Sequence, residues 1–334
     1  MTRHIAHASF CSRRRAALAM LAAAALPVGT ARASNGFPNK PVKIIVPSVP
    51  GGLMDVSARL IGPKLSDHWK VPVVVENKPG GGMAIGTLQA AKSPADGYTL
   101  LLAHEGAIVI NPVIVANTPY SVKDFVPLAQ VWDTSLILLI NKDVPAANLK
   151  ELDGYIRQNP DKLNYAVADM IGELMSDMVK QAMGWKYTNI MYKGNPERVR
   201  SVMAGETQMT LASASDAFTA LDTGRVRAMG ISSMTRSPRL PNIPTLDEAG
   251  MTGFNLMSWG GLFVPAGTPP DVAAKLSADA RRALAEPDVV ERIEAGGSQV
   301  GARITAEQFQ QRIAADVARW RRLAESRGMQ TYDK

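Results

Sequence analysis

The chain has 334 residues, enough for two domains of ordinary size, with 37 basic and 30 acidic side chains. The first 33 residues contain the single cysteine and five arginines, so the remainder is nearly neutral, with 32 basic and 30 acidic residues. A chain starting at residue 34 can have no disulfide, cysteine nucleophile or cysteine-bound metal, and its charge gives no reason to expect a nucleic-acid partner.

The first 33 residues predict a secretory signal peptide. Arg13–Arg15 precede an apolar run, Ala16–Leu26, and Ala31-Arg32-Ala33 puts small residues at the two positions that a signal peptidase reads. A membrane anchor is disfavoured, because spanning a bilayer takes roughly 20 apolar residues. We therefore expect export and cleavage after Ala33. The arginines leave both the general secretory route and the twin-arginine route open.

Three apolar runs then alternate with helical segments. The runs "VKIIVPS", "VPVVVEN" and "YTLLLAH" begin at Val42, Val71 and Tyr98 and are typical of strands. The first two are each followed by a glycine-containing turn and a helical pattern, over Met54–Asp67 and Ala84–Ala91. Continuous apolar runs that alternate with helices predict an α/β fold whose sheet is parallel and covered on both faces.

A second series of strands and helices begins near "SLILLINKDVP". Strands are predicted at "KLNYAV", "YTNIMYKG", "TQMTLAS" and "VRAMGIS", and helices at about 148–159, 174–183, 197–204, 215–223, 270–285 and 306–327. Two α/β blocks with a late return to the first predict two lobes. The turns after the first three strands should then lie on one rim, facing a cleft.

The turn after the first strand, "PSVPGGLMD", is the first candidate site. Gly51 and Gly52 let a ligand approach the backbone, and a helix that starts near Leu53 leaves its first amides without internal partners. Such amides bind carboxylates, although Gly-Gly turns are also common without a ligand. "NKPGGGMAIG" repeats the arrangement after the second strand, without the spacing of a dinucleotide site or a P-loop. Two such turns at neighbouring strand ends can face one small anion.

Catalytic chemistry has little support in the sequence. His104-Glu105 starts like a zinc motif, but no second histidine follows at the H-E-x-x-H spacing, and there is no G-x-S-x-G elbow. We expect no metal site and no cofactor. An exported hydrolase that uses His104 stays open as an alternative, because the members of a Ser–His–carboxylate set need not be close in sequence.

Several segments together resemble a known family. "FPNKPVKIIVPSVPGGLMDVSARLIGPKL", "VPVVVENKPGGGMAIGT", "SPADGYTLLL", "RSPRLPNIPTLDEAG" and "SWGGLFVPAGTP" occur in the order found in Bug-type periplasmic solute-binding receptors, which belong to tripartite tricarboxylate transporters. The resemblance runs from about Phe37 to the C-terminus. It implies an α/β, two-lobed periplasmic-binding-protein fold, type II-like, with parallel-rich sheets and a ligand cleft between the lobes. Lobe 1 would comprise 37–137 and 255–334, and lobe 2 138–254.

The resemblance also implies a function. The protein would be a periplasmic receptor and not an enzyme, without a cofactor, that captures a small organic acid by hinge closure. It would deliver this ligand to membrane permease subunits, and we expect a monomer. A receptor of the same fold that reports to a sensor kinase is the alternative.

By position, the resemblance puts a ligand carboxylate at the two glycine turns, with side chains of the second lobe around it. The residues implied are Gly51, Gly52, Leu53 and Asp55 in the first turn, Gly81, Gly82, Met83 and Gly86 in the second, and Tyr192, Ser213, Ser215 and Asp216 in the second lobe, with the loop 167–173.

Some candidate residues depart from the family pattern. Met54 stands where a small polar residue or threonine is usual. The third turn, usually small and polar, contains His104 and Glu105, which puts a carboxylate at the expected rim. The loop of the second lobe brings Asp169 and Glu173.

These carboxylates allow two interpretations. If they point to solvent, as loop acids more often do, the ligand is a mono-acid whose apolar body contacts Met54, Met83 and Met170, and we favour this slightly. If they face the cleft, they repel a second carboxylate by about several kcal/mol at low effective dielectric. The ligand would then carry a cationic or amide group that Glu105 or Glu173 accepts.

Overall fold

One long strand, β4 (Phe125–Asn141), organises the fold. The computed structural model describes residues 36–301 and 304–332, and Phe37–Lys334 form one compact unit. The expected signal peptide lies outside the described residues. Within them, no helix combines the length and the apolar character that crossing a bilayer requires.

The other regular elements surround β4. The strands are β1 (Val42–Val46), β2 (Val73–Asn77), β3 (Thr99–His104), β5 (Asn164–Val167), β6 (Thr188–Met191), β7 (Met209–Ser213), β8 (Val226–Ile231), β9 (Met257–Pro265) and β10 (Ser298–Val300). The helices are α1 (Leu53–Trp69), α2 (Ala84–Ala91), α3 (Asn111–Ile114), α4 (Leu149–Gln158), α5 (Met170–Met183), α6 (Asn195–Ala204), α7 (Ala214–Leu221), α8 (Pro270–Leu284), α9 (Pro287–Ala295) and α10 (Ala306–Ser326). A 3₁₀ turn (Gly81–Met83) precedes α2, and a π-helical segment (Gly106–Ile110) follows β3.

The strands form one mixed sheet in the order β2-β1-β3-β9-β4-β7-β5-β6, and β8 and β10 also pair with β4. β1 is parallel to β2 and β3, and β5 is parallel to β6 and β7, as the alternation of strands and helices predicts. The centre is antiparallel, because β9 runs against β3 and β4, and β7, β8 and β10 run against β4. A buried apolar run indicates that both faces of a strand are covered and does not indicate the direction of its neighbour.

β4 belongs to both parts of the sheet. Its residues Phe125–Ser135 pair with β9, and Leu136–Asn141 pair with β7 and β8. The predicted lobe boundary after residue 137 therefore falls inside a single strand. The division into two lobes stays a prediction.

Helix α10 is fixed to the sheet by its apolar face. Phe309 and Trp320 are fully buried, and Phe309 packs edge-on against Trp259 of β9, with ring centroids 5.0 Å apart. Burying each such side chain contributes roughly 1.5–3 kcal/mol. The amphipathic pattern predicted for 306–327 is confirmed, and it holds α10 against the segment that follows β3.

Candidate functional site

A cavity of about 670 Å³ lies over the middle of β4. It is bordered by the first glycine turn, the end of β3, the starts of α5, α6 and α7, and the end of α9. Strand ends and helix N-termini therefore converge on it, which is where ligands bind in α/β sheets. The free amides and dipoles of helix N-termini favour an anion.

The structure brings some of the predicted residues together and separates others. The lining contains Gly51, Gly52, Leu53, His104, Asp169, Ser213 and Ser215. The remaining candidates lie outside it: Met54, Asp55, Gly81, Gly82, Met83, Gly86, Glu105, Glu173, Tyr192 and Asp216.

The first glycine turn is held by Asp55. The buried Asp55 accepts a hydrogen bond from the Gly51 amide (2.9 Å) and one from Arg59 Nε (2.9 Å). Burial alone would raise the pKa of Asp55, but these hydrogen bonds outweigh it and hold the pKa below its usual value. Asp55 thus braces the turn, and Gly52, the N-cap of α1, has no side-chain cap, so the amides that follow it remain for a ligand.

The second glycine turn does not line this cavity. Gly82 has φ +59° and its carbonyl accepts a hydrogen bond from Asn111 Nδ2 at 2.7 Å. Gly86 is a packing residue, because a Cβ there would lie 2.6 Å from the carbonyl oxygen of Lys78 and 2.9 Å from Pro47 Cα. Because Gly86 has no side chain, α2 can pack close to the end of β1.

His104 ends β3 and reaches the cavity. Its Nδ1 accepts a hydrogen bond from the Gly106 amide at 2.8 Å, which leaves the proton of the neutral ring on Nε2. Burial lowers the pKa of His104 to about 4, although Asp169 acts to raise it. At neutral pH the ring is therefore an uncharged donor. Among the residues described, it has no hydrogen bond to a serine or a carboxylate.

The expectation that Glu105 lies at the rim is wrong. Only 1% of Glu105 is exposed, and its Oε1 accepts hydrogen bonds from Trp320 Nε1 (2.5 Å) and Arg319 Nη2 (3.2 Å). The chain turns into the π-helical segment directly after β3, which directs this side chain toward α10. Burial raises the pKa of Glu105 to about 7, with a further contribution from Asp316.

The acids near the second part of the sheet are each engaged by a neighbouring group, and one of them is a helix cap. Asp169 caps α5 by accepting from the Gly172 amide at 2.7 Å, and it is the one of them that lines the cavity. Glu173 pairs with Arg327 at 3.8 Å. Asp216 accepts from Ser213 Oγ at 2.8 Å. Tyr192 packs against an apolar cluster beside β4.

The apolar contacts proposed for a mono-acid are not part of this cavity. Met54 is buried in the core with Trp132, Met83 packs against the core, and Met170 is 45% exposed. The apolar part of the lining comes instead from residues such as Leu60 and Met175.

Arg198 is a cationic side chain on the lining that is not among the residues predicted from the sequence. Arg198 is 9% exposed, and its Nη1 donates to the Leu211 carbonyl at 2.6 Å. A signal was present, because Arg198 and Val202 are four residues apart in α6 and therefore share the buried face of the helix. The lining also includes Trp132, Thr134 and Arg292.

Three buried polar atoms of lining residues have no hydrogen-bond partner within the described chain: Ser57 Oγ, Trp132 Nε1 and Arg198 Nε. Leaving such an atom unsatisfied costs roughly 1–3 kcal/mol, and more for a charged group. The formally charged residues of the described lining are Arg198, Arg292 and Asp169, since His104 is neutral at pH 7. The lining thus carries a net positive charge.

Comparisons with known proteins agree on one family. The sequence profile described as "Tripartite tricarboxylate transporter family receptor" matches residues 57–329. BugT of Bordetella pertussis is 32% identical over 288 residues, which cover 85% of this chain and 88% of BugT.

Two solved structures have the same fold. An R. palustris protein solved with adipate is 28% identical, with a TM-score of 0.75 over 88% of this chain and 99% of that one. MatC from Rhodopseudomonas palustris, solved with malate, is 28% identical, with a TM-score of 0.71 over 86% of this chain and 99% of MatC.

Proposed function

Because this chain belongs to the tripartite tricarboxylate transporter receptor family, we propose that it captures a small carboxylate in the cavity over β4. The observation that carries the proposal is the convergence of uncapped α1 amides and net positive charge on one cavity. The related proteins solved with adipate and with malate support a carboxylate as the ligand. The protein is a receptor and not an enzyme, as its family is.

In the proposed mechanism, backbone amides bind the ligand through hydrogen bonds and do not alter it chemically. A carboxylate oxygen accepts hydrogen bonds from the amides after Gly52, and the Nε2–H of His104 is a further donor on the same lining. Ligand binding then favours a closed arrangement of the two parts of the sheet by its differential affinity for that state. In this proposal the protein is exported after cleavage at Ala33, acts in the periplasm as a monomer and hands its ligand to membrane permease subunits.

Gly52→Val tests the position of the site. Gly52 has φ −77°, which valine adopts, and a Cβ there meets no atom within 4 Å, so the fold tolerates the change. The new side chain would lie over the backbone amides that are proposed to bind the ligand. We expect the dissociation constant for a bound dicarboxylate such as adipate, measured by calorimetry, to rise at least about tenfold, which is about 1.4 kcal/mol.

Gly154→Val is the matched control, because Gly154 of α4 also has open space at its Cβ and lies outside the lining. Binding by this variant should equal that of the parent protein. Unchanged binding by Gly52→Val would mean that the first glycine turn is not part of the ligand-binding site.

Native mass spectrometry of the purified protein would identify a ligand that co-purifies with it.

A further inference from the structure

The sheet separates the ligand cavity from a group of charged side chains behind it. On β4, Trp132 lines the cavity and Asp133 does not, because successive strand residues point to opposite faces. At the end of β3, His104 lines the cavity, whereas the next residue, Glu105, contacts α10. Two members of the charged group are therefore direct chain neighbours of residues that line the cavity.

The charged group, called here the charge cluster, consists of three acids and two arginines: Glu105, Asp133, Asp316, Arg312 and Arg319. Arg319 lies 3.2 Å from Glu105 and 2.9 Å from Asp316. Arg312 lies 2.7 Å from Asp133 and 3.9 Å from Asp316. Two arginines thus balance two of the three carboxylates. The charge cluster is neutral when Glu105 carries a proton and is negative when Glu105 is ionised.

Glu105 is the least exposed member of the charge cluster, with 1% of the residue accessible. Its neighbours β9, α2, α3 and the π-helical segment contain no charged side chain, and His104 is uncharged at neutral pH. Burial raises the pKa of Glu105 to about 7, and Asp316 raises it further, against the opposite effect of Arg319. The charge of the cluster therefore changes near neutral pH.

Protons can reach the charge cluster without passing through the ligand cavity. A surface depression of about 380 Å³ is lined by its other four members, Asp133, Arg312, Asp316 and Arg319. The side chain of Arg319, which contacts Glu105, is 30% exposed. Exchange of a proton with solvent on this side stays possible when a ligand fills the cavity.

We propose that ligand binding is coupled to the uptake of one proton from solvent by Glu105, across the sheet. The inference rests on the proposed function, in which an anionic ligand lies in the cavity. An anion on one face of the sheet disfavours a negative charge behind it, so the bound ligand favours protonated Glu105. By reciprocity, protonated Glu105 favours the bound ligand. Affinity is then fully present below about pH 7 and falls as the pH rises through that value.

Calorimetry between pH 6.5 and pH 8.5 tests the coupling. The probe is adipate, or malate if the parent protein does not bind adipate, because both carboxyl groups of each acid are ionised over this range. Charges separated by one sheet in a region without water change an equilibrium about three- to tenfold. We expect the dissociation constant to rise about three- to sixfold over the range. In buffers of different ionisation enthalpy, the heat should report uptake of a fraction of a proton, largest between pH 7 and pH 8.

Glu105→Gln keeps an oxygen for Trp320 Nε1 and cannot ionise. Its affinity should stay near the value of the parent at pH 6.5 over the whole range, with no proton uptake from this position. His68→Gln is the matched control, because it removes the other histidine of the described residues, which is exposed on α1 and outside the lining. This variant should keep the pH profile of the parent. If Glu105→Gln does not fold, as judged by circular dichroism, the proton uptake of the parent protein decides.

The outcomes separate the two proposals. If the parent protein binds its ligand equally well from pH 6.5 to pH 8.5 without proton uptake, or if Glu105→Gln keeps the pH dependence, the coupling is overturned while the carboxylate receptor stands. If the parent protein binds neither acid at pH 6.5, the proposed function itself fails, and the coupling fails with it.

Discussion

The carboxyl group of Glu105 is enclosed by polar and charged side chains of α10. Trp320 and Arg319 donate to it, and Asp316 and Arg312 lie near enough to act on its charge. Burial raises its pKa from 4.5 to about 7, so the folded protein holds this proton more tightly than the unfolded chain does. The contribution of Glu105 to stability is therefore fully present below about pH 4.5 and is lost as the pH rises through 7.

Glu105→Gln should make stability less dependent on pH. The glutamine oxygen can still accept from Trp320 Nε1, but the side chain no longer ionises. In urea unfolding, the free energy of unfolding of the variant relative to the parent should increase between pH 5 and pH 8, by roughly 2–3 kcal/mol for a shift of this size. His104 titrates in both proteins, so its contribution cancels in the difference. An equal difference at both pH values would contradict the raised pKa.

At the scale of elements, the start of α5 combines two functions in one side chain. Asp169 caps the helix through the Gly172 amide, and its carboxylate lies on the cavity lining, where it acts on both His104 and Arg198. An N-cap needs an oxygen and not a charge. The charge of Asp169 therefore opposes an anionic ligand without being needed for the helix.

Asp169→Ser should separate these functions. Serine keeps a capping oxygen and removes the charge, so we expect affinity for adipate to increase about fivefold, which is about 1 kcal/mol, with unchanged stability. Asp169→Ala should show the same gain in affinity and lose about 1 kcal/mol of stability. Thr305→Ala removes the cap of α10 without a change of charge, and should lower stability alone. Weaker adipate binding by Asp169→Ser would mean that the carboxylate contacts the ligand.

The helices also show which features could be predicted from nearby residues in the sequence. The bounds predicted for α2 are those observed, because the glycines before it and the helical pattern of its own residues are local signals. α5 begins at Met170 and not near 174, because the side chain of Asp169 caps the helix by accepting a hydrogen bond from the Gly172 amide. α9, which lines the cavity, is absent from the prediction. The burial of Glu105 was not predictable, since its partners Arg319 and Trp320 are more than 200 residues away.

At the scale of the whole molecule, the family resemblance predicted the α/β periplasmic-binding-protein architecture, which the solved relatives confirm. The residues alone predicted a parallel sheet, and the antiparallel centre depends on how β4 and β9 meet across more than 100 residues. β4 pairs with β9 from Phe125 to Ser135. Beyond that point β4 continues without β9 and pairs with β7 and β8. Bending of the molecule would therefore be concentrated near residue 135 of β4, beside Trp132 and Thr134 of the cavity.

Closure on the ligand can be measured with spin labels, because a chain starting at residue 34 has no cysteine of its own. Lys92→Cys and Asp222→Cys put exposed labels on opposite sides of the predicted lobe boundary, and Lys92→Cys with Glu325→Cys puts both in lobe 1. Electron–electron resonance should show the first distance changing when adipate is added, because binding favours the closed state. The second distance should stay constant. A fixed distance for both pairs, in protein that calorimetry shows to be saturated, would mean that the ligand binds to a preformed site without hinge motion.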